Sequence, residues 1–297
     1  MDVYQTVTDR IVSMIERGAG EWRMPWHAAP AAEPGAPVAM PRNINGRAYR
    51  GVNVPLLWAA AEAIGYPSPI WATYRQWQER GAQVRKGERS TLIVFWKRIE
   101  VAANDNDDDN PTETRLLARG YAVFNAAQVD GFNLKLIDRT GEPSEPQRID
   151  AAEAFFRNAG AIVRHGGNRA FYTTAGDYIQ MPELRQFVAA DRYYSTLAHE
   201  HVHWTGAAHR CAREFGKRFG DEAYAFEELV AELGAAFLCA DLGLSNEPRP
   251  DHAAYIASWL RVLKDDKRAI FTAASRAQAA ADYLAGLQRT TTTQLAA

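Results

Sequence analysis

His199-Glu200-His201-Val202-His203 lies within residues 193–205, a stretch with no proline or glycine that is predicted to be helical. Helix positions four apart share a face, so the imidazoles of His199 and His203 can hold one metal ion. Glu200 is one step round, within reach of a water on that ion. Zn2+ brings such a water to a pKa of roughly 7, and the glutamate takes its proton as the oxygen attacks a carbonyl. The pattern H-E-x-x-H thus carries the mechanism of a metal-dependent peptidase. Five residues also match by chance, and a helix with satisfied surface histidines is the plain alternative. His201 faces away from the metal side and is expected to be structural or at the surface.

A catalytic zinc of this kind needs a third protein ligand, and two candidates are visible. His209 completes His199-Glu200-x-x-His203-x-x-Gly206-x-x-His209, the metzincin spacing. That class also needs a methionine turn downstream, and the five methionines (Met1, Met14, Met24, Met40 and Met181) all precede the motif. The other candidate lies on a second helix over residues 226–237, where Glu228 and Glu232 share a face. Ala231, Gly234 and Ala235 are small enough for this helix to pack tightly on the first. The arrangement resembles the gluzincin second helix, in which one acid binds metal and a later carboxylate orients a ligand histidine. Glu228 is accordingly assigned as third ligand and Glu232 as the acid behind a histidine, with Glu232 or His209 as alternative ligands. Two imidazoles and one carboxylate suit Zn2+, and Mn2+ is the alternative.

Upstream of the motif the order is a helix (150–158) and strands at 161–165, 170–174 and 177–181. The last is expected at a sheet edge, where an extended peptide can pair with it. Residues 130–148 are polar and broken by Gly141, Pro143 and Pro146, as in a linker. The fold class is α+β: an N-terminal α+β domain over residues 1–130, a linker at 131–148, and at 149–297 a gluzincin-like metallopeptidase domain with a small sheet and active-site helices.

The first half has a different character. Residues 2–17 place Val3, Val7, Ile11 and Met14/Ile15 on one face of an amphipathic helix that stops at Gly18. A Pro/Ala-rich loop is predicted at 27–41, helices at 54–64 and 74–80, and a strand at 90–101 paired with 120–124. Residues 42–98 hold ten Lys/Arg against three acids, whereas residues 104–113 hold five acids and no base. Six of the eight tryptophans lie in the first 100 residues. Bases and rings interleave at Arg47, Tyr49, Arg50, Trp71, Tyr74, Arg85 and Lys86. Single-stranded nucleic acid takes this combination, with cations along its backbone and flat rings under its bases. The plain alternative is a tryptophan core beneath a solvated arginine face.

At 297 residues, 47% hydrophobic and 24% charged, the chain reads as globular, long enough for two domains. No apolar run of about 18 residues exists, so no membrane span is expected, and the first residues do not open a signal peptide. Cys211 and Cys239 are expected as buried free thiols in a cytoplasmic, reducing setting.

Taken together, the blocks resemble the ArdC family of plasmid antirestriction proteins along nearly the whole chain. The N-terminal blocks are Asp2-Val3-Tyr4-Gln5-x-Val7-Thr8-Asp9-Arg10-Ile11, Tyr49-Arg50-Gly51-Val52-Asn53 and Val84-Arg85-Lys86-Gly87-Glu88. The C-terminal ones are His199-Glu200-x-x-His203-Trp204-Thr205-Gly206 and Glu227-Glu228-Leu229-Val230-Ala231-Glu232. The resemblance implies a single-stranded DNA-binding domain, related to that of TraC-type plasmid primases, fused to a zincin domain. It further implies service to conjugative plasmids in evading host restriction; non-sequence-specific DNA binding and a host protein as the candidate peptidase substrate are expected with it. Two rivals are a DNA-coating protein whose zincin half is structural or a docking surface, and a primase accessory or DNA-processing protein.

Overall fold

The computed structural model describes residues 2–18, 39–102, 112–132, 145–215, 222–246 and 253–294. Helix α1 (Val3–Gly18) buries the predicted stripe of Val7, Ile11, Met14 and Ile15. After the short strand β1 (Arg42–Asn43), α2 (Asn53–Ile64) is buried at every position from Val54 to Ala61. A helix apolar all round belongs in a core, and Gly65, left-handed at φ 78°, ends it. Strand β2 (Ile70–Ala72) leads into α3 (Tyr74–Glu79), which opens on a Thr73–Gln76 capping box. Then come β3 (Gln83–Val84), β4 (Thr91–Ala102), β5 (Thr112–Asn125) and β6 (Val129–Asp130). β4 and β5 pair antiparallel from Thr91↔Val123 to Ala102↔Thr112 as a long ribbon. The larger sheet has the order β1-β2-β5-β4, and β3 pairs with β6. The predicted Pro/Ala loop falls largely, and the linker partly, outside the described residues.

The second half runs α4 (Glu145–Ala159), β7 (Ile162–His165), β8 (Phe171–Thr173), β9 (Tyr178–Met181), α5 (Ala190–Thr205), α6 (Glu222–Leu242), α7 (Ala253–Asp265) and α8 (Ala269–Gln294). Its sheet has the order β7-β9-β8, which corrects the expectation for residues 177–181. β9 is the central strand, because β7 pairs with it in parallel and β8 folds back on its other side antiparallel. The edge strands are β7 and β8, and of the two it is β8 that lines the cleft beside α5.

One apolar core joins the halves. Ile11 and Ile15 of α1, Leu56 and Trp58 of α2 and Val94 of β4 belong to the same cluster as Leu229, Phe237, Trp259 and Ile270. Polar contacts reinforce the seam: Thr8 Oγ1 donates to the Lys267 carbonyl at 2.8 Å, Lys264 pairs with Glu16, and Arg50 pairs with Asp282.

Candidate metal centre

α5 is buried from Tyr193 to Thr205, so its histidines are not surface groups. α6 lies against it so closely that a Cβ on Gly234 would stand 2.7 Å from Val202 Cγ2. Only glycine permits that approach, and it carries Glu228 and Glu232 up to the histidine face. His199 Nε2 and His203 Nε2 are 3.1 Å apart. The Glu228 carboxylate straddles them, each oxygen 3.5 Å from one of the two nitrogens. One ligand atom from each of these three residues fits within 4.8 Å of the others.

The far side of each ring is also held. His199 Nδ1 lies 2.9 Å from Glu232 Oε1, and His203 Nδ1 lies 3.2 Å from Glu227 Oε1. A carboxylate at Nδ1 keeps the proton there and turns the Nε2 lone pair inward, as a metal ligand requires. Glu227 was not singled out in the sequence. Arg213 fixes it from Nε (3.0 Å) and Nη2 (2.8 Å), and anchors its own guanidinium on Thr205 Oγ1 at 2.9 Å.

The cluster attracts positive charge. Burial opposes a charge on His203, yet the Glu228 charge and the hydrogen bonds to Glu227 and Glu228 outweigh it and raise the imidazole to about 10. Burial likewise pushes Glu228 up, but the His203 charge and hydrogen bonds from both histidines hold it far below the usual carboxylate range. Glu200, buried on the same helix, borders a cleft of about 970 Å3 shared with both histidines, Glu228, Tyr224 and β8.

His201 and His209 stand apart. His201 is wholly buried, donates from Nδ1 to the Leu197 carbonyl at 2.8 Å and packs its ring 4.7 Å from that of Phe156. Burial lowers it to about 4, which keeps it neutral. His209 is exposed beside Asp177, 3.6 Å away, and is not among the three clustered ligands. Its neighbour Arg210 ties that aspartate and the Tyr172 hydroxyl to the end of α5, donating to the Trp204 carbonyl at 2.6 Å.

The residues singled out for nucleic acid fare unequally. Trp71 is a correction: at 1% exposure it lies in the core with Leu57, Tyr66 and Val123, so no base can reach its ring. Trp58 and Trp77 are buried too, as tryptophans flanking a small sheet tend to be. Tyr49 is half-buried, with its hydroxyl 3.4 Å from the Trp71 carbonyl. Arg50 is engaged by Asp282, and Arg85 by Glu88 at 2.7 Å. Arg47, Tyr74 and Lys86 remain exposed.

A helix bearing two histidines four apart, a neighbouring helix that brings a glutamate between them and a small sheet along the cleft define a zincin-like unit. Residues 150–276 match the family of zincin-like metallopeptidases, and residues 1–124 match the N-terminal domain of anti-restriction factor ArdC. The chain belongs to the ArdC antirestriction family. It is similar to the antirestriction ArdC protein of plasmid R388, solved metal-free (44% identity, TM-score 0.79, 98% of this chain and 99% of that one). The Mn(II)-bound form of that protein matches at 43% identity and a TM-score of 0.78, over 97% of this chain and 98% of that one. It is also 50% identical to the uncharacterized protein y4eC of Sinorhizobium fredii (strain NBRC 101917 / NGR234), over 95% of this chain and 91% of that one. A DNA primase TraC of Escherichia coli is 34% identical over 96% of this chain, which spans only 20% of that protein. Among the described residues no helix is long and apolar enough to cross a membrane.

Proposed function

We propose that this antirestriction protein binds single-stranded DNA through its first half and uses a metal-dependent peptidase centre in its second to defend incoming DNA. The observation that carries the second part is the convergence of His199, His203 and Glu228 beside Glu200 in an open cleft. The donor set fits a divalent ion: two imidazole nitrogens turned inward by carboxylates behind them, and one buried carboxylate. Zn2+ suits these donors, and Mn2+ is the alternative supported by the Mn(II)-bound ArdC of R388. The ion, when bound, supplies Lewis-acid chemistry and acidifies water at its open position.

Glu200 acts as the general base, taking a proton from its buried position at the cleft wall. The edge strand β8 offers backbone groups to an extended substrate, taken to be a host protein. DNA binding draws support from the basic surplus of residues 42–98 and from the relation to a primase. The core shared by both halves favours one rival, in which the zincin half is only a scaffold for DNA coating. Restriction protection in a conjugation assay separates them, comparing wild type with Glu200→Gln at equal protein level. Loss of protection with DNA and metal still bound supports hydrolysis. Full protection by the variant overturns it.

A further inference from the structure

We infer that the outer face of the β4–β5 ribbon, around Phe95 and Tyr121, is the platform on which bases of single-stranded DNA stack; this rests on the DNA-binding role proposed above. Alternation along a strand puts Ile93, Phe95 and Lys97 on one face. Their register partners across the ribbon are Tyr121, Arg119 and Leu117. At its base this face is closed, where Ile93 packs with Leu57 of α2, Trp71 and Val123. Further out it is bare: Phe95 is 59%, Leu117 50% and Tyr121 37% exposed. The opposite face is packed on α1 and α8 through Trp96, edge-on to Phe271 at 6.1 Å and tilted against Tyr4 at 5.9 Å, although 39% of that residue stays exposed. The ribbon is therefore anchored on one side and open on the other.

Charge says what the open side meets. Within segments 91–98 and 117–125 this face carries Lys97 and Arg119 and no acid. The Arg119 guanidinium sits 5.5 Å from the centre of the Tyr121 ring, and Phe95 meets that ring edge-to-face at 6.0 Å. Neighbouring rings with cations between them match alternating bases and phosphates. A purely apolar partner would leave those cations desolvated and unpaired. The buried Trp71 is thus replaced as stacking surface by rings that solvent reaches.

The test uses the full chain and a fluorescent oligothymidylate, with affinity read by anisotropy against salt. Phe95→Ala/Tyr121→Ala is expected to weaken binding about 5- to 150-fold per ring that carries a base. Both side chains are solvent-exposed, so the melting curve should stay near that of wild type. Arg119→Ala is expected to lower the slope of log affinity against log salt by about 0.7, and Phe95→Trp/Tyr121→Phe to restore binding. If wild type ignores the oligonucleotide, the DNA-binding role itself falls. If wild type binds and the double alanine variant binds equally, the ribbon assignment alone is overturned. A variant that turns a dimer into a monomer without losing DNA makes the face a contact between copies, and also overturns it.

Discussion

Arg213 and Glu227 are both buried, 2.8 Å apart, and this pair stands behind the Nδ1 side of His203. Removing one member of a buried pair leaves an uncompensated charge, at a cost of about 3–5 kcal/mol. It also frees the imidazole to turn its lone pair away from the ligand cluster. Glu227→Ala is therefore expected to lower divalent-metal affinity by about 10- to 100-fold, measured by competition with a chelating dye. Glu227→Gln, which keeps an acceptor, should recover part of the loss, and unchanged affinity in the alanine variant would refute the orienting role. His199, His203, Glu228 and Glu232 were legible because helical spacing alone assigns each pair to a face. Glu227 was not, since it sits one residue before Glu228 and its function depends on Arg213, outside that helix. Trp71 misled for a related reason: composition shows that a ring is present, but not which side of a sheet it faces.

The contact between α5 and α6 is the element on which the centre depends. A Cβ at Gly234 meets Val202, whose branched side chain is buried and has little freedom to move. Gly234→Val is expected to force the helices apart, destabilising the protein by about 1–3 kcal/mol in urea unfolding. The same shift withdraws Glu228 from the histidines, so metal affinity should fall in parallel. A stable variant with wild-type metal binding would contradict this view of the packing. The helices themselves were readable from periodicity and from a stop such as Gly18. Strand order was not: β9 is central because β7, with the β8 hairpin lying between them in sequence, pairs on its free side, and no local pattern encodes that partnership.

At the scale of the whole molecule, α1, α2 and Val94 of β4 complete a core whose other members come chiefly from α4, β9 and α5 to α8. The sequence divides into a basic half and a half carrying the His/Glu cluster, but burial binds them together, and a change in surface charge carries no signal of what lies beneath. Tryptophan fluorescence and far-ultraviolet circular dichroism are accordingly expected to report one coincident unfolding transition; two separated transitions would show that the halves are independent. Metal bound at 100 times its Kd should stabilise that single unit by about 2.7 kcal/mol, a gain reversed by chelation. The account rests most heavily on the ion itself, and metal content per chain after dialysis against Zn2+ tests it directly in wild type, His199→Ala and Glu228→Ala. One equivalent in wild type and strong depletion in both variants is the expected result. No bound metal in wild type, or an undiminished equivalent in Glu228→Ala, would contradict it.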